Sequence, residues 1–202
     1  MSEVELSLRD RILETSRSIL FSKGYNAISM RKIAGLIGVS ATSIYLYFDN
    51  KNHLVHTLIE ESVEELSEAI EQGAARDEEP LAQFSAIIQS YVDFAINNPQ
   101  KYKVIYMVSP EAMGRYPKEK FRKARRGYAL LESVIRAAIE EELMRVEDPK
   151  IAAYSIWAQL HGIISVVQDQ RLDSRIDKAQ FIEDSIELIV QGFLVRTTIK
   201  EY

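Results

Sequence analysis

The stretch Ser29-Met30-Arg31-Lys32-Ile33-Ala34-Gly35-Leu36-Ile37-Gly38-Val39-Ser40-Ala41-Thr42-Ser43-Ile44-Tyr45-Leu46-Tyr47-Phe48 decides the fold. Its apolar residues recur at three and four rather than at two, which is a helical period. Gly38 divides it into two short helices, and Ser29 and Ser40 stand where N-caps belong. Two short helices joined by a glycine-containing turn form a helix-turn-helix, whose second helix enters the DNA major groove. The spacing is first a packing code. Ala34 must be small where the second helix crosses it, Gly38 opens the turn at little steric cost, and Val39 and Ile44 fill the wedge. Residues 41–48 carry no charge. The exposed face of the second helix is therefore Ala41, Thr42, Ser43, Tyr45 and Tyr47, whose hydroxyls and phenols reach base edges and phosphates. The alternative is a short helix half buried in a three-helix domain; DNA reading is favoured over it.

Charge outside this stretch supports that preference. The chain has 25 Lys and Arg against 30 Asp and Glu, a net charge of −5. Residues 1–52 hold seven basic against five acidic side chains, whereas the remaining 150 hold 18 against 25. The net acidic charge argues against histone-like coating of nucleic acid and allows a local basic face, and the positive excess sits at the N-terminal end. The 202 residues contain no cysteine, so disulfides, Cys-ligated metal and thiol catalysis are excluded. With 47% apolar and 27% charged residues the chain reads as soluble, globular and intracellular. The opening decapeptide is polar and acidic, so no secretory leader is expected, and no apolar run is long enough for a membrane span.

Eight glycines and five prolines leave long uninterrupted helical periods, and an all-α chain of about nine helices is expected. The first runs from about Ser7 to Ser22, with Leu8, Ile12, Ile19 and Leu20 on its inner face and Lys23-Gly24 closing it. The third runs from Ser40 to about Phe48. The fourth starts near Lys51 and reaches about Gln72, followed by a linker from Gly73 to Pro80. Further helices cover about Pro80–Asn97, Pro99–Val108 and Lys118–Glu142, with breaks at Ser109-Pro110 and Gly114–Pro117. Asp148-Pro149 is a strong start signal for a helix to about Gln168. The last is expected over about Asp177–Ile199. A three-helix DNA-binding head over residues 1–50 and a larger helical body over 51–202 follow.

The head resembles the tetracycline-repressor (TetR) family of one-component transcriptional regulators. The likeness runs from Ile12 to about Ile59. It centres on Gly24-Tyr25, Ser29-Met30-Arg31-Lys32-Ile33-Ala34, Gly38-Val39-Ser40, Ile44-Tyr45-Leu46-Tyr47-Phe48 and Lys51. The resemblance implies that Ser29 and Arg31 contact backbone or bases, and that Ser40, Ala41, Thr42 and Ser43 lie at the major groove. It further implies that Tyr45 meets a base or phosphate, Tyr47 a phosphate, and Lys51 a phosphate aided by the dipole of the fourth helix. Many family members carry Lys and Gly at the positions of Ala41 and Thr42. This chain departs at both, which points to a different bound sequence. Phe48 is expected in the core.

Trp157-Ala158-Gln159-Leu160-His161-Gly162 resembles the Trp–His–Gly motif of one C-terminal subgroup of the same family, where it lies on the subunit-pairing helix beside the ligand cavity. Trp157, His161 and Ile164 fall at i, i+4, i+7, on one helical face. Tyr91, Phe94, Tyr106 and Met107, with Tyr102, form a second aromatic group. Apolar walls with a few polar tips suit a small-molecule effector, so Tyr91, Phe94, Tyr106, Met107, Trp157 and His161 are the candidate ligand residues; ordinary core is the competing reading for each. The last two helices carry broad apolar faces at Ile156, Leu160, Ile163 and Val167, and at Ile182, Ile186, Ile189, Val190, Phe193 and Leu194. These bury each other or pair with a second copy as a four-helix bundle, giving a homodimer. Residues 115–126 hold seven basic side chains and one acid, Glu119, read either as a solvated helix start or as a basic rim for an anionic ligand.

An enzyme has no positive support. His53, His56 and Glu60 fall at i, i+3, i+7 like metal ligands, but the helix start beside Lys51 is expected to face DNA, so no metal site is assigned. No phosphate-binding loop, dinucleotide turn or HExxH motif occurs. The sequence therefore leads to a cytoplasmic, ligand-responsive repressor without cofactor or membrane contact, binding double-stranded operator DNA as a dimer. The alternative is a helical DNA-binding protein whose body only dimerises or binds another protein.

Overall fold

The computed structural model describes residues 6–107 and 125–195. Nine α-helices and one 3-10 turn account for them. Ser7 caps α1 (Leu8–Lys23), its hydroxyl accepting from the Asp10 amide at 3.2 Å. Gly24, with φ of 74°, turns the chain into the 3-10 segment Tyr25–Ala27. Then come α2 (Met30–Ile37) and α3 (Ala41–Tyr45). Between them Gly38 adopts φ 73° and ψ 34°, the left-handed conformation that glycine enters without a Cβ penalty. The helix α3 is shorter than the expected Ser40–Phe48. Tyr47 and Phe48 both turn their amides onto the Ile44 carbonyl, at 3.0 and 3.1 Å, and the helix tightens and stops there.

The helix α4 (Lys51–Ala74) continues two residues past the expected end, so Gly73 is helical and buried, not the first linker residue. A Cβ on Gly73 would stand 2.0 Å from Ser90 Oγ and 3.2 Å from the Ala86 carbonyl. The glycine therefore marks a close helix crossing, which a reading of glycine as a breaker mistakes for a loop. The crossing partner is α5 (Pro80–Asn97), followed by α6 (Pro99–Met107), both starting at proline as the sequence indicates. Beyond residue 125 come α7 (Arg126–Glu140), α8 (Pro149–Gln168) and α9 (Lys178–Phe193). Asp148 caps α8 by accepting from the amides of Lys150 and Ile151 at 2.8 and 3.1 Å. The last helix stops at Phe193, not near Ile199. Leu194 is extended and forms a single antiparallel bridge with Met144, with the Val195 amide donating to the Leu143 carbonyl at 3.0 Å. The expected breaks at Ser109-Pro110 and Gly114–Pro117, and the basic residues 115–124, lie outside the described residues.

Packing divides the described residues into two units. The first comprises residues 6–65 and 98–107. Ile12, Leu20, Ile33, Ala34, Ile44, Phe48, Leu54, Leu58 and Val104 are nearly inaccessible there, so α6 joins the three head helices and the start of α4 in one core. Phe48 is core as expected, and Val39 packs half-buried against the same cluster. The second unit comprises residues 66–97 and 125–195, with a core of Phe84, Ile88, Ala95, Ile135, Ala138, Ile156 and Ile164. Arg126 of the basic stretch forms a two-bond pair with Glu71, one bond at 2.8 Å from Nε to Oε1 and the other from Nη2 to Oε2.

Candidate nucleic-acid interface

The helix α3 presents one buried side chain, Ile44, and a solvent face made of the rest. Thr42, Tyr45, Leu46 and Tyr47 are exposed, while Ala41 and Ser43 are half-buried. Ser40 is the N-cap. Its Oγ accepts from the Ser43 amide at 3.2 Å and lies 2.9 Å from Ser43 Oγ. Both serine hydroxyls are thus committed to holding the first turn, which leaves Thr42 and Tyr45 as the outward hydroxyls of the helix. At the start of α2, Ser29 is exposed with extended backbone, and its side chain makes no capping bond. Arg31 and Lys32 are exposed in the first turn of α2.

Three cations of the N-terminal segment already have partners within the protein. Arg9 donates to Glu61 at 2.7 Å, and Arg11 donates to the Ile37 carbonyl at 2.7 Å, satisfying the C-terminal end of α2. Arg17 is buried and pairs with Glu14 at 3.0 Å. Arg9 and Arg11 fasten α1 to its neighbours, whereas the Arg17–Glu14 pair lies within α1 and Glu61 stands 4.0 Å from the Arg17 guanidinium. Arg31, Lys32 and Lys51 belong to the surface bearing α2, α3 and the start of α4.

At the start of α4, Lys51 Nζ lies 3.8 Å from the centroid of the Tyr25 ring, within cation–π range. The Tyr25 hydroxyl in turn donates to Asn52 Oδ1. Burial pushes the Lys51 ammonium below the ordinary lysine value of 10.5. Asn50 accepts from the His53 amide at 2.9 Å, and His53 Nδ1 accepts from the Asp49 amide at 3.2 Å while its ring meets Phe48 edge-on at 5.7 Å. Tyr25 and Asn52 were not among the sequence candidates. They lie 27 residues apart and no short motif joins them; the only trace was the Gly24-Tyr25 pair within the family likeness. His53 serves the cap, and among the described residues no group of three or more His, Asp or Glu side chains could hold a metal ion.

The candidate ligand residues are divided between the two units. Tyr106 and Met107 lie on α6 in the first, where Tyr102 and Tyr106 tilt against each other at 4.9 Å. Tyr91, Phe94, Trp157 and His161 belong to the second. Tyr91 and Phe94 are buried on α5. Trp157 and His161, both half-buried on α8, stack at 5.5 Å and 16°. Tyr128 from α7 meets Trp157 edge-on at 5.7 Å and stacks on Tyr154 at 4.9 Å, extending the aromatic set by two residues absent from the sequence candidates. Burial lowers the His161 imidazole below its ordinary 6.5, so its ring is neutral at neutral pH. Two open depressions mark the second unit. One, of about 410 Å³, lies between α5 and α9 and is lined by Val92, Asp93, Ile96, Ile182, Glu183 and Ile186. The other, of about 520 Å³, lies on α8 along Ile151, Tyr154 and Trp157.

Comparison with known proteins bears on this arrangement. Residues 12–58 match the family described as "Bacterial regulatory proteins, tetR family", and residues 84–191 match "Tetracyclin repressor-like, C-terminal domain". The nucleoid occlusion factor SlmA of Idiomarina loihiensis is 26% identical over 160 residues, 79% of this chain and 80% of that one. The fatty acid metabolism regulator protein of Bacillus subtilis is 20% identical over 186 residues, 90% of this chain and 93% of its own. The solved ketosteroid transcriptional regulator KstR2 of Mycobacterium tuberculosis superposes with a TM-score of 0.75 at 19% identity, covering 96% of this chain and 98% of the other. That last likeness shows the fold. The two family matches together take in the helix-turn-helix and more than half of the chain, and the protein belongs to the tetracycline-repressor family of DNA-binding transcriptional regulators.

Proposed function

We propose that this protein is a cytoplasmic, ligand-responsive repressor that binds a palindromic operator as a homodimer and is released by a small-molecule effector. The observation that carries the DNA side is the uncharged, outward face of α3, flanked by cations at the starts of α2 and α4. In this reading Thr42 and Tyr45 meet base edges, with Ala41 beside them, and Ser40 and Ser43 fix the helix at the groove. Tyr47, Ser29 and Arg31 meet the sugar-phosphate backbone, and Lys51 meets a phosphate at the N-terminus of α4. Two heads reading half-sites about 34–36 Å apart require a two-fold dimer. The proposed pairing surface is α8 with α9, where Ile151, Tyr154 and Leu188 are 65%, 41% and 74% exposed.

The effector reading is supported by the Trp157–His161–Tyr128 aromatic set, with Tyr91 and Phe94 on α5. Tyr106 and Met107 extend the candidate set onto α6. Coupling runs through α4, the helix whose residues fall in both packing units. An effector that binds the DNA-incompetent state better shifts the population by its differential affinity, typically about 1–3 kcal/mol. The second reading, a body that only dimerises or engages another protein, is favoured by the SlmA relative, named for nucleoid occlusion rather than for a metabolite.

Mapping of chromosomal sites bound by the protein, with transcript levels in a strain lacking it, tests the proposal. A repressor leaves adjacent transcripts raised in the deletion, and a metabolite fraction then releases the purified protein from those sites. Bound sites whose transcripts do not change, with no fraction causing release, would favour the second reading.

A further inference from the structure

Leu46 is the most exposed large apolar side chain among the described residues, at 79%. It closes α3 with helical backbone, φ −69° and ψ −22°, so it continues the path of the helix. Thr42, Tyr45 and Leu46 stand at i, i+3 and i+4 and therefore share one face. The opposite side is anchored by Ile44 and Phe48, at 0% and 2% exposure. No charged residue occurs between Lys32 and Asp49. An aliphatic side chain on the face it shares with Thr42 and Tyr45 has no hydrogen bond to offer a phosphate. Its complement on a base edge is the thymine C5-methyl group, the apolar feature of the major groove.

We propose that Leu46 is a specificity-determining residue that packs against a thymine methyl in each half-site. This rests on the reading that α3 enters the major groove. It goes further by assigning one base preference to an apolar contact of Leu46, separate from the hydrogen bonds of Thr42 and Tyr45. A contact between Leu46 and deoxyribose would instead be indifferent to sequence.

The test uses the full-length protein and a duplex recovered by it from a random pool. Each thymine is replaced, symmetrically and one position at a time, by deoxyuridine, which lacks only the methyl. At one symmetric position the wild-type protein should lose about fourfold in affinity for each methyl uncovered. Leu46→Ala should bind the parent duplex more weakly and be indifferent to the same replacement. Because Leu46 lies on the surface, Leu46→Ala should melt with the wild type, and that is measured alongside. Equal responses of Leu46→Ala and wild type at every position would overturn the proposal, as would a wild type indifferent to every replacement. Thr42→Ala in the same series separates the two levels. If it changes base preference while Leu46→Ala does not, only the methyl contact falls. If neither variant changes any preference, or no duplex is recovered, the placement of α3 in the groove falls as well.

Discussion

Lys51 shows what the structure adds to a residue already singled out by its position. Its ammonium is partly desolvated and lies over the Tyr25 ring, so it is held at the helix start rather than swinging on a flexible stem. In the proposed reading, a phosphate drawn to the N-terminus of α4 finds this cation already placed. Lys51→Ala should weaken binding to all duplexes alike and reduce the salt slope by about one ion per protomer. The depressed Lys51 value also gives a pH effect of definite sign. A bound phosphate favours the charged form, so operator binding takes up a proton at alkaline pH, and affinity falls as pH rises through the lowered value of the free protein. Lys51→Arg remains charged throughout and should lack that component. Anisotropy titrations approaching the ordinary lysine value of 10.5 read the difference; identical pH profiles for the two proteins would remove Lys51 from the contact.

Among the elements, the α4–α5 crossing is the most constrained. Gly73→Ala sets a Cβ against both the Ser90 hydroxyl and the Ala86 carbonyl. The hydroxyl can rotate away and the carbonyl cannot, so a loss of about 1–3 kcal/mol in urea unfolding is expected. Adding Ser90→Ala should restore part of it, and strictly additive losses would show that the crossing is looser than described. The α8 aromatic set gives a second expectation. His161 is depressed by burial, so the unfolded chain takes up its proton first, and stability drains away as pH falls through 6.5 toward the lower folded value. His161→Phe keeps a ring on Trp157 and removes the titration. Its melting temperature should fall less than that of the wild type between neutral and mildly acid pH, and equal falls would assign the acid sensitivity elsewhere. The helix starts were legible because each carries its own chemistry. Ser7, Asp148-Pro149 and Asn98-Pro99 begin helices where the sequence places them. What could not be read were features set by distant partners. Gly73 is helical because α5 crosses there, α9 ends at Phe193 because Leu194 pairs with Met144, and Tyr25 reaches Lys51 and Asn52 across the head core.

At the scale of the whole molecule, the charge asymmetry read from sequence is refined by the partners of the N-terminal arginines. Arg9 and Arg17 pair with carboxylates and Arg11 with a backbone carbonyl, so in the proposed reading the positive excess offered to DNA is carried by fewer side chains than the count of seven suggests. Few phosphate contacts mean a shallow salt slope and a greater share of the affinity from the face of α3. In the proposed dimer, the apolar side chains left open on α8 and α9 would present that face twice. Both features converge on selection of bound duplexes from a random DNA pool by the purified protein at fixed salt, run in parallel with Thr42→Ala/Tyr45→Ala. The wild type should enrich an inverted repeat with half-site centres about one helical turn, or a multiple of it, apart. The double variant should lose or change that repeat. Enrichment of no repeat, or of the same repeat equally by both proteins, would contradict sequence reading by the outward face of α3.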